Sequence, residues 1–244
     1  MKLTGYEISR MIDLSAVKAE DDDTYIRSLV ECAREYRCIA VIPLPSRTLL
    51  VKELLQGDPD ITLGGAIGFP SGGHTTSIKV AEAKELIALG CSELDMVMNI
   101  GKMVSGRTTE VLEDICAVIE AADGVPVKVI LECHYLTHDQ IRKGCDLCVQ
   151  AGASFVKTGT GWAPTGATLE NIALIKAQVG EAIGVKAAGG VRDLETLLQM
   201  YRMGARRFGI GLHSATKILE QIQSLPGGVA EVSPLTVKGL QKTN

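Results

Sequence analysis

The chain has no long hydrophobic run. No apolar stretch approaches the ~20 residues that a membrane-crossing helix requires, so a spanning segment is not expected. Positive charge is not in excess either: 25 Lys and Arg stand against 29 Asp and Glu, a net charge of −4. That balance argues against a nucleic-acid or acidic-membrane partner, which a basic patch would recognise. Aromatic residues make up only 4% of the chain, so the 46% hydrophobic content is mainly aliphatic. The first residues, Met1 to Glu7, carry no apolar signal core, and a cytoplasmic location is the expectation. The seven cysteines are an odd number, several of them in apolar surroundings, which fits reduced core thiols better than a disulfide framework.

What the chain does have is alternation. Short apolar runs recur at Arg10–Asp13, Cys38–Ile42, Leu63–Gly68, Glu93–Met98, Val127–Glu132, Ser154–Lys157, Gly184–Ala188 and Arg207–Ile210. Longer segments of helical period lie between them. Thr137 and Gln140 form a capping box, as do Thr4 and Glu7 ahead of the first run. Val80, Ala83, Ile87 and Ala88 fall on one expected helical face, and Gly90, Gly152 and Gly204 are placed to end helices. Eight strand–helix units in 244 residues match a single α/β domain, a (β/α)₈ TIM barrel of ~250 residues. A doubly wound sheet has the same periodicity and remains the alternative. No linker-like composition splits the chain. Residues 1–244 are therefore expected to form one domain, with a short helix before the first barrel strand and a loose tail from about residue 224.

Barrel active sites lie at the C-terminal ends of the strands, which focuses attention on charged residues in apolar runs. Lys157 and Lys186 occupy the sixth and seventh runs, neighbours in a barrel. A buried lysine can be a plain ion-pair partner. Two on adjacent strands, flanked by small residues, fit imine chemistry better. Burial and a second nearby cation both lower an amine's pKa and free it as a nucleophile, so both amines are expected to open into one pocket. Asp95, in an otherwise apolar run, needs a partner and could orient Lys186 and relay protons.

Glycine-rich turns follow the last two runs, at Gly189-Gly190-Val191-Arg192 and Gly209-Ile210-Gly211. Such turns often bind phosphate through backbone N–H groups, and Arg192 and Ser214 could add donors. Neither turn fits a dinucleotide fingerprint, and no cofactor is expected. Glu132, His134 and His138 form a possible metal cluster, but the two histidines fall across a loop-to-helix boundary and no metal is expected. Cys145 and Cys148 lack a second pair and read as one buried helix face.

The segments Gly68-Phe69-Pro70, Glu93 to Asn99, Lys128 to Glu132, Phe155 to Gly161 and Lys186 to Arg192 together resemble the deoxyribose-phosphate aldolase family, in order over nearly the whole chain. The resemblance implies a TIM-barrel class I aldolase that cleaves 2-deoxy-D-ribose 5-phosphate reversibly to D-glyceraldehyde 3-phosphate and acetaldehyde, without metal. Its partner would be a small-molecule sugar phosphate, and a homo-oligomer is compatible with it. It implies Lys157 as the Schiff-base lysine, Lys186 as the lysine that perturbs it, and Asp95 in the proton relay. Asp13 and Ser15 would touch substrate hydroxyls. Thr158, Thr160 and Gly161 would bind the substrate, and Gly189, Gly190, Arg192, Gly209 and Gly211 would bind its phosphate end. Departures from the family pattern are Gly159 in place of a serine, Trp162 after Gly161, Ile42 in place of a cysteine, and the loss of a serine from the last glycine turn. They suggest a reshaped acceptor end.

Overall fold

In the computed structural model, which describes residues 1–232, the chain forms a closed parallel barrel of eight strands. A short strand β1 (Lys2–Thr4) and helix α1 (Gly5–Ser9) lead into β2 (Ile12–Ala16), the first barrel strand, followed by α2 (Asp23–Tyr36). Then come β3 (Ala40–Pro43), α3 (Thr48–Leu54), β4 (Thr62–Ile67), α4 (Thr76–Leu89), β5 (Glu93–Val97), α5 (Ile100–Val104) and α6 (Thr108–Ala121). The second half runs through β6 (Val127–Ile130), α7 (His138–Ala151), β7 (Phe155–Lys157), α8 (Leu169–Val179), β8 (Gly184–Ala188), α9 (Leu194–Arg202), β9 (Arg207–Ile210) and α10 (Leu212–Ser224). Strands β2 to β9 pair in sequence order, and β9 closes on β2 through Ile12–Phe208, Asp13–Gly209 and Leu14–Ile210.

The eight barrel strands are the eight apolar runs. The first is displaced: β2 extends through Ser15 to Ala16, so Ser15 lies on a strand. Both capping boxes form, at Thr4–Glu7 on α1 and Thr137–Gln140 on α7. Gly90, Gly152 and Gly204 take positive φ just past α4, α7 and α9. On α4 the expected face holds at Ala83, Val80 and Ile87, which pack on the core, but not at Ala88. Lys79, Ala83 and Leu86 are buried, whereas Ala88 is exposed. Lys79 can point inward because its ammonium donates to the carbonyl of Val97 and pairs with Asp114, leaving no uncompensated charge.

The expected loose tail from residue 224 needs correction. Past Ser224 the chain turns at Pro226–Gly228 and forms β10 (Val229–Glu231), which pairs antiparallel with β1. Ala230 and Val232 are buried, and that apolar anchoring is the reason the segment is held. The remaining part of the expected tail, residues 233–244, lies outside the described residues.

Candidate active site

The interior of the barrel is charged. Many barrels fill this space with branched aliphatic residues; here four cations and three carboxylates climb the axis. At the N-terminal end of the strands, Arg207 opens β9 and Glu93 opens β5. Their guanidinium and carboxylate are joined by two hydrogen bonds, of 3.0 and 2.7 Å. Arg207 Nε also donates to Asp13 Oδ1 on β2, at 2.7 Å. Lys128, the second residue of β6, bonds Asp13 Oδ2 at 3.1 Å and pairs with Glu93. One step higher, Lys186 in the middle of β8 pairs with Asp13 and lies 2.6 Å from Asp95 Oδ2. At the top, Lys157, the last residue of β7, donates to the same Asp95 oxygen, also at 2.6 Å. The two lysines are cross-strand partners in the β7–β8 register, and one carboxylate oxygen lies between their amines.

The electrostatics follow from this ladder. Burial alone would raise the Asp13 and Asp95 carboxyls, but the surrounding cations outweigh it and hold both well below the usual carboxylate range. Those cations are Lys186, Lys128 and Arg207 for Asp13, and Lys157, Lys186 and Lys128 for Asp95. Burial would lower the Lys128 ammonium; Asp13 and Asp95 overcome that and raise it. Lys186 goes the other way. Complete burial, helped by repulsion from Lys128 and Lys157, lowers it to about 8 despite Asp13 and Asp95. Cations outnumber carboxylates by one in this ladder, so it becomes electrically neutral when one amine gives up its proton. An amine freed in this way is what nucleophilic imine chemistry requires.

Above the ladder, at the C-terminal ends of the strands, opens a cavity of about 240 Å³. Lys157 forms part of its wall. So do Ser15, Thr160, Gly161, Gly189, Gly190, Arg192, Gly209 and Gly211, all expected from the sequence, together with Ser214. Gly189 and Gly190 have φ of +80° and +133°, a backbone that an L side chain rarely adopts. Gly211 caps α10 without a side-chain hydrogen bond; the N–H of Leu212 donates to the Tyr25 hydroxyl, which leaves the N–H groups of His213 and Ser214 in the first turn.

Three expectations are corrected. The two lysines do not both reach the pocket: β8 continues past Lys186 to Ala188, so Ala188 and Gly189 form the wall and Lys186 lies wholly buried beneath. Asp13 does not line the cavity. It is fully buried and its two oxygens are taken by Lys186, Lys128 and Arg207. Thr158 does not line it either. Its hydroxyl donates to the carbonyl of Ala188 at 2.7 Å and accepts from the Ala188 N–H at 2.9 Å, clamping the ends of β7 and β8 together.

Glu132, His134 and His138 do not converge. Glu132 takes the backbone N–H and hydroxyl of Thr160, His134 contacts the hydroxyl of Thr165 at 2.8 Å, and His138 faces Glu170 at 3.2 Å. Among the described residues no group of three acidic, cysteine or histidine side chains is placed to hold a metal ion. Glu132 has instead a positioning part. Burial raises its carboxyl, against the Thr160 donors, and it ties the Thr160–Gly161 loop to the end of β6.

Glu132 also explains Gly159. A Cβ there would lie 2.8 Å from Glu132 Oε1 and 3.3 Å from the Ala188 carbonyl. Gly159 is therefore a packing adjustment behind the cavity wall, not a change in the wall. Ile42 is similarly accounted for: its side chain fills the space over Gly64, where a Cβ would meet it at 2.1 Å.

Sequence reasoning passed over Lys128, Glu93 and Arg207, although each is a charge within an apolar run, the same signal that marked Lys157. It also missed Lys18, Asp21 and Tyr25 in the cavity wall. Only closure of the barrel brings these to the site, and no local pattern marks them.

Comparison with known proteins is consistent along almost the whole chain. A family model described as DeoC/LacD family aldolase matches residues 9–220. The chain is 46% identical over 235 residues to the deoxyribose-phosphate aldolase of Klebsiella pneumoniae subsp. pneumoniae, covering 96% of this chain and 94% of that protein. It is 43% identical to that of Methanothermobacter thermautotrophicus, over 89% of this chain and 96% of the other. Among solved structures, the tetrameric deoxyribose phosphate aldolase of Aeropyrum pernix superposes with a TM-score of 0.82 at 27% identity, covering 91% and 93% of the two chains.

Proposed function

The chain belongs to the DeoC/LacD family of aldolases, and from that premise we propose how its barrel performs the reaction. It acts as a class I aldolase, a carbon–carbon lyase, on 2-deoxy-D-ribose 5-phosphate, releasing D-glyceraldehyde 3-phosphate and acetaldehyde. The observation that carries this reading is the Lys157 amine in the cavity wall, sharing one oxygen of Asp95 with the buried Lys186.

The neutral Lys157 amine adds to the C1 aldehyde of the open-chain sugar, and loss of water leaves a protonated imine. The C2–C3 bond then breaks. Its electron pair moves into the iminium to form an enamine, and the proton of the C3 hydroxyl leaves as that carbon becomes the aldehyde of glyceraldehyde 3-phosphate. Protonation of the enamine and hydrolysis return acetaldehyde and free Lys157. Lys186 and Asp95 lie next to the reacting nitrogen and serve as the proton donor and acceptor for the water-loss steps. The phosphate sits between the Gly189–Arg192 turn and the start of α10, where backbone N–H groups and a guanidinium favour an anion. The site needs no metal or cofactor for this chemistry.

Among the described residues no helix is long and apolar enough to cross a membrane, and a cytoplasmic enzyme of one barrel domain is the reading that fits. A homo-oligomer is part of the same proposal, since the Aeropyrum pernix protein is described as tetrameric.

Incubation with 2-deoxyribose 5-phosphate should yield acetaldehyde, with a kcat/KM well above that for unphosphorylated 2-deoxyribose. Equal efficiency on the two sugars would replace this assignment with an aldolase for unphosphorylated aldehydes. The pH profile of kcat supplies a second check. Lys186 donates a proton only while charged, so with its value at about 8 the rate should fall as the pH rises past 8. Lys186→Met should be slow at all pH values and lack that limb. The same limb in the variant would assign it to another group.

A further inference from the structure

Two loops meet across the mouth of the cavity, and the contacts between them run both ways. Lys18, in the loop after β2, extends its ammonium to the carbonyl of Gly161 in the loop after β7. Trp162, the next residue, returns a hydrogen bond from its indole Nε1 to the carbonyl of Val17 at 2.7 Å. The Lys18 ammonium lies 5.5 Å from the centre of the Trp162 ring, within cation–π range. The ring in turn packs edge-on against Phe69, 6.3 Å away, beyond β4. The backbone N–H of Lys18 donates to the Asp21 carboxylate at 2.8 Å, fixing the turn that presents the side chain.

Lys18 is thus held in place by neutral groups. A carbonyl accepts one of its three protons and an indole face attracts its charge, but neither cancels that charge. Among the described residues no carboxylate oxygen lies within 4 Å of its ammonium, and the same holds for Arg192 in the turn after β8. Asp21 also lines this space, and its carboxylate is engaged by the Lys18 N–H. Lys18, in the loop after β2, and Arg192, in the turn after β8 two strands away around the barrel, both line this cavity. Although Asp21 offsets part of the Lys18 charge, two cations there suit a doubly charged anion.

On the reading of the substrate as a sugar phosphate, we propose that Lys18 is a specificity-determining residue. It supplies the phosphate with a cation from the loop after β2, and Trp162 is the positioning residue that aims it. This assigns a task to the tryptophan that departs from the family pattern.

Kinetics on phosphorylated and unphosphorylated 2-deoxyribose test the proposal, with inhibition by inorganic phosphate as a second measurement. Lys18→Met should raise KM for the phosphorylated sugar about 10- to 100-fold, the worth of a charged hydrogen bond. It should raise the inhibition constant of inorganic phosphate by a similar factor. Its kcat should change much less, and the unphosphorylated sugar should be handled as before. Lys18→Arg should recover most of the loss. Trp162→Phe, which keeps a ring but loses the Nε1 donor, should fall in between on the phosphorylated sugar alone. Equal losses on both sugars, or unchanged phosphate inhibition in Lys18→Met, would overturn the proposal. Trapping of acetaldehyde on Lys157 by borohydride, measured in the same variants, separates the two readings: without an adduct in the unaltered protein the aldolase assignment fails, whereas an adduct together with unchanged phosphate inhibition in Lys18→Met rejects only the role of Lys18.

Discussion

Replacing Lys157 with alanine should abolish cleavage of 2-deoxyribose 5-phosphate and leave the protein folded. The expected loss in kcat exceeds about 10³-fold, the scale on which nucleophiles and proton-transfer groups contribute. No neighbour can substitute. Lys186 is wholly buried beneath the wall, and Lys18 stands at the mouth against Gly161 and Trp162. Stability should change little, for a reason specific to this barrel. The ladder contains one cation more than carboxylates, so removing Lys157 leaves it balanced. Asp95 keeps Lys186 at 2.6 Å and Lys128 at 3.6 Å. Thermal unfolding and steady-state kinetics on the same sample check both halves. A variant that retained even a few per cent of the activity would show that the carbonyl is attacked elsewhere.

Asp95→Asn should do the opposite and damage both stability and rate. The change preserves shape but removes the charge that faces Lys157, Lys186 and Lys128. Breaking a buried ion pair from one side costs about 3–5 kcal/mol, because the remaining charge is left uncompensated. For a chain of this length that corresponds to a melting temperature lower by roughly 10 °C. The pH dependence has a definite sign. Asp95 is held below its unfolded value, so its stabilisation is present above about pH 4 and disappears as the pH falls through the folded value. The two proteins should therefore differ in stability near neutral pH and converge in strong acid. As the pH rises the variant should recover some stability, because Lys186, without the Asp95 charge that raises it, gives up its proton below the value of about 8 that it has in the unaltered protein. The rate should fall about 10²- to 10⁴-fold, as expected for loss of a positioned proton-transfer group. A variant as stable as the unaltered protein at pH 7 would mean that the three lysines do not depend on this carboxylate.

The strands could be read from the sequence because a parallel barrel buries each one on both faces, which turns it into a continuous apolar run. The same burial exposed Lys157, Lys186 and Asp95, since a charge in such a run must have a partner. Depth was not legible. Whether an inward residue reaches the cavity depends on how far its strand continues beyond it, and that placed Lys157 in the wall, Lys186 below it and Asp13 lower still. Thr158 looked like a site residue from its position beside Lys157, but its hydroxyl bridges two strand ends. The glycine turns proposed to hold phosphate were legible because glycines cluster at the ends of the last two strands, although only Gly189 and Gly190, after β8, take positive φ. Lys18 and Tyr25 were not, because they come from the loop after β2 and the first turn of α2 and reach the loops after β7 and β9 only when the barrel closes. Tyr25, for instance, accepts a hydrogen bond from the N–H of Leu212, 187 residues away.

The central claim is a covalent one: the Lys157 amine becomes the nitrogen of an imine. Acetaldehyde followed by borohydride, with peptide mass analysis, tests it most directly. The account predicts one ethyl group on the peptide carrying Lys157, and no adduct in Lys157→Ala. An adduct on Lys186 or Lys18, or none on any lysine, would contradict it.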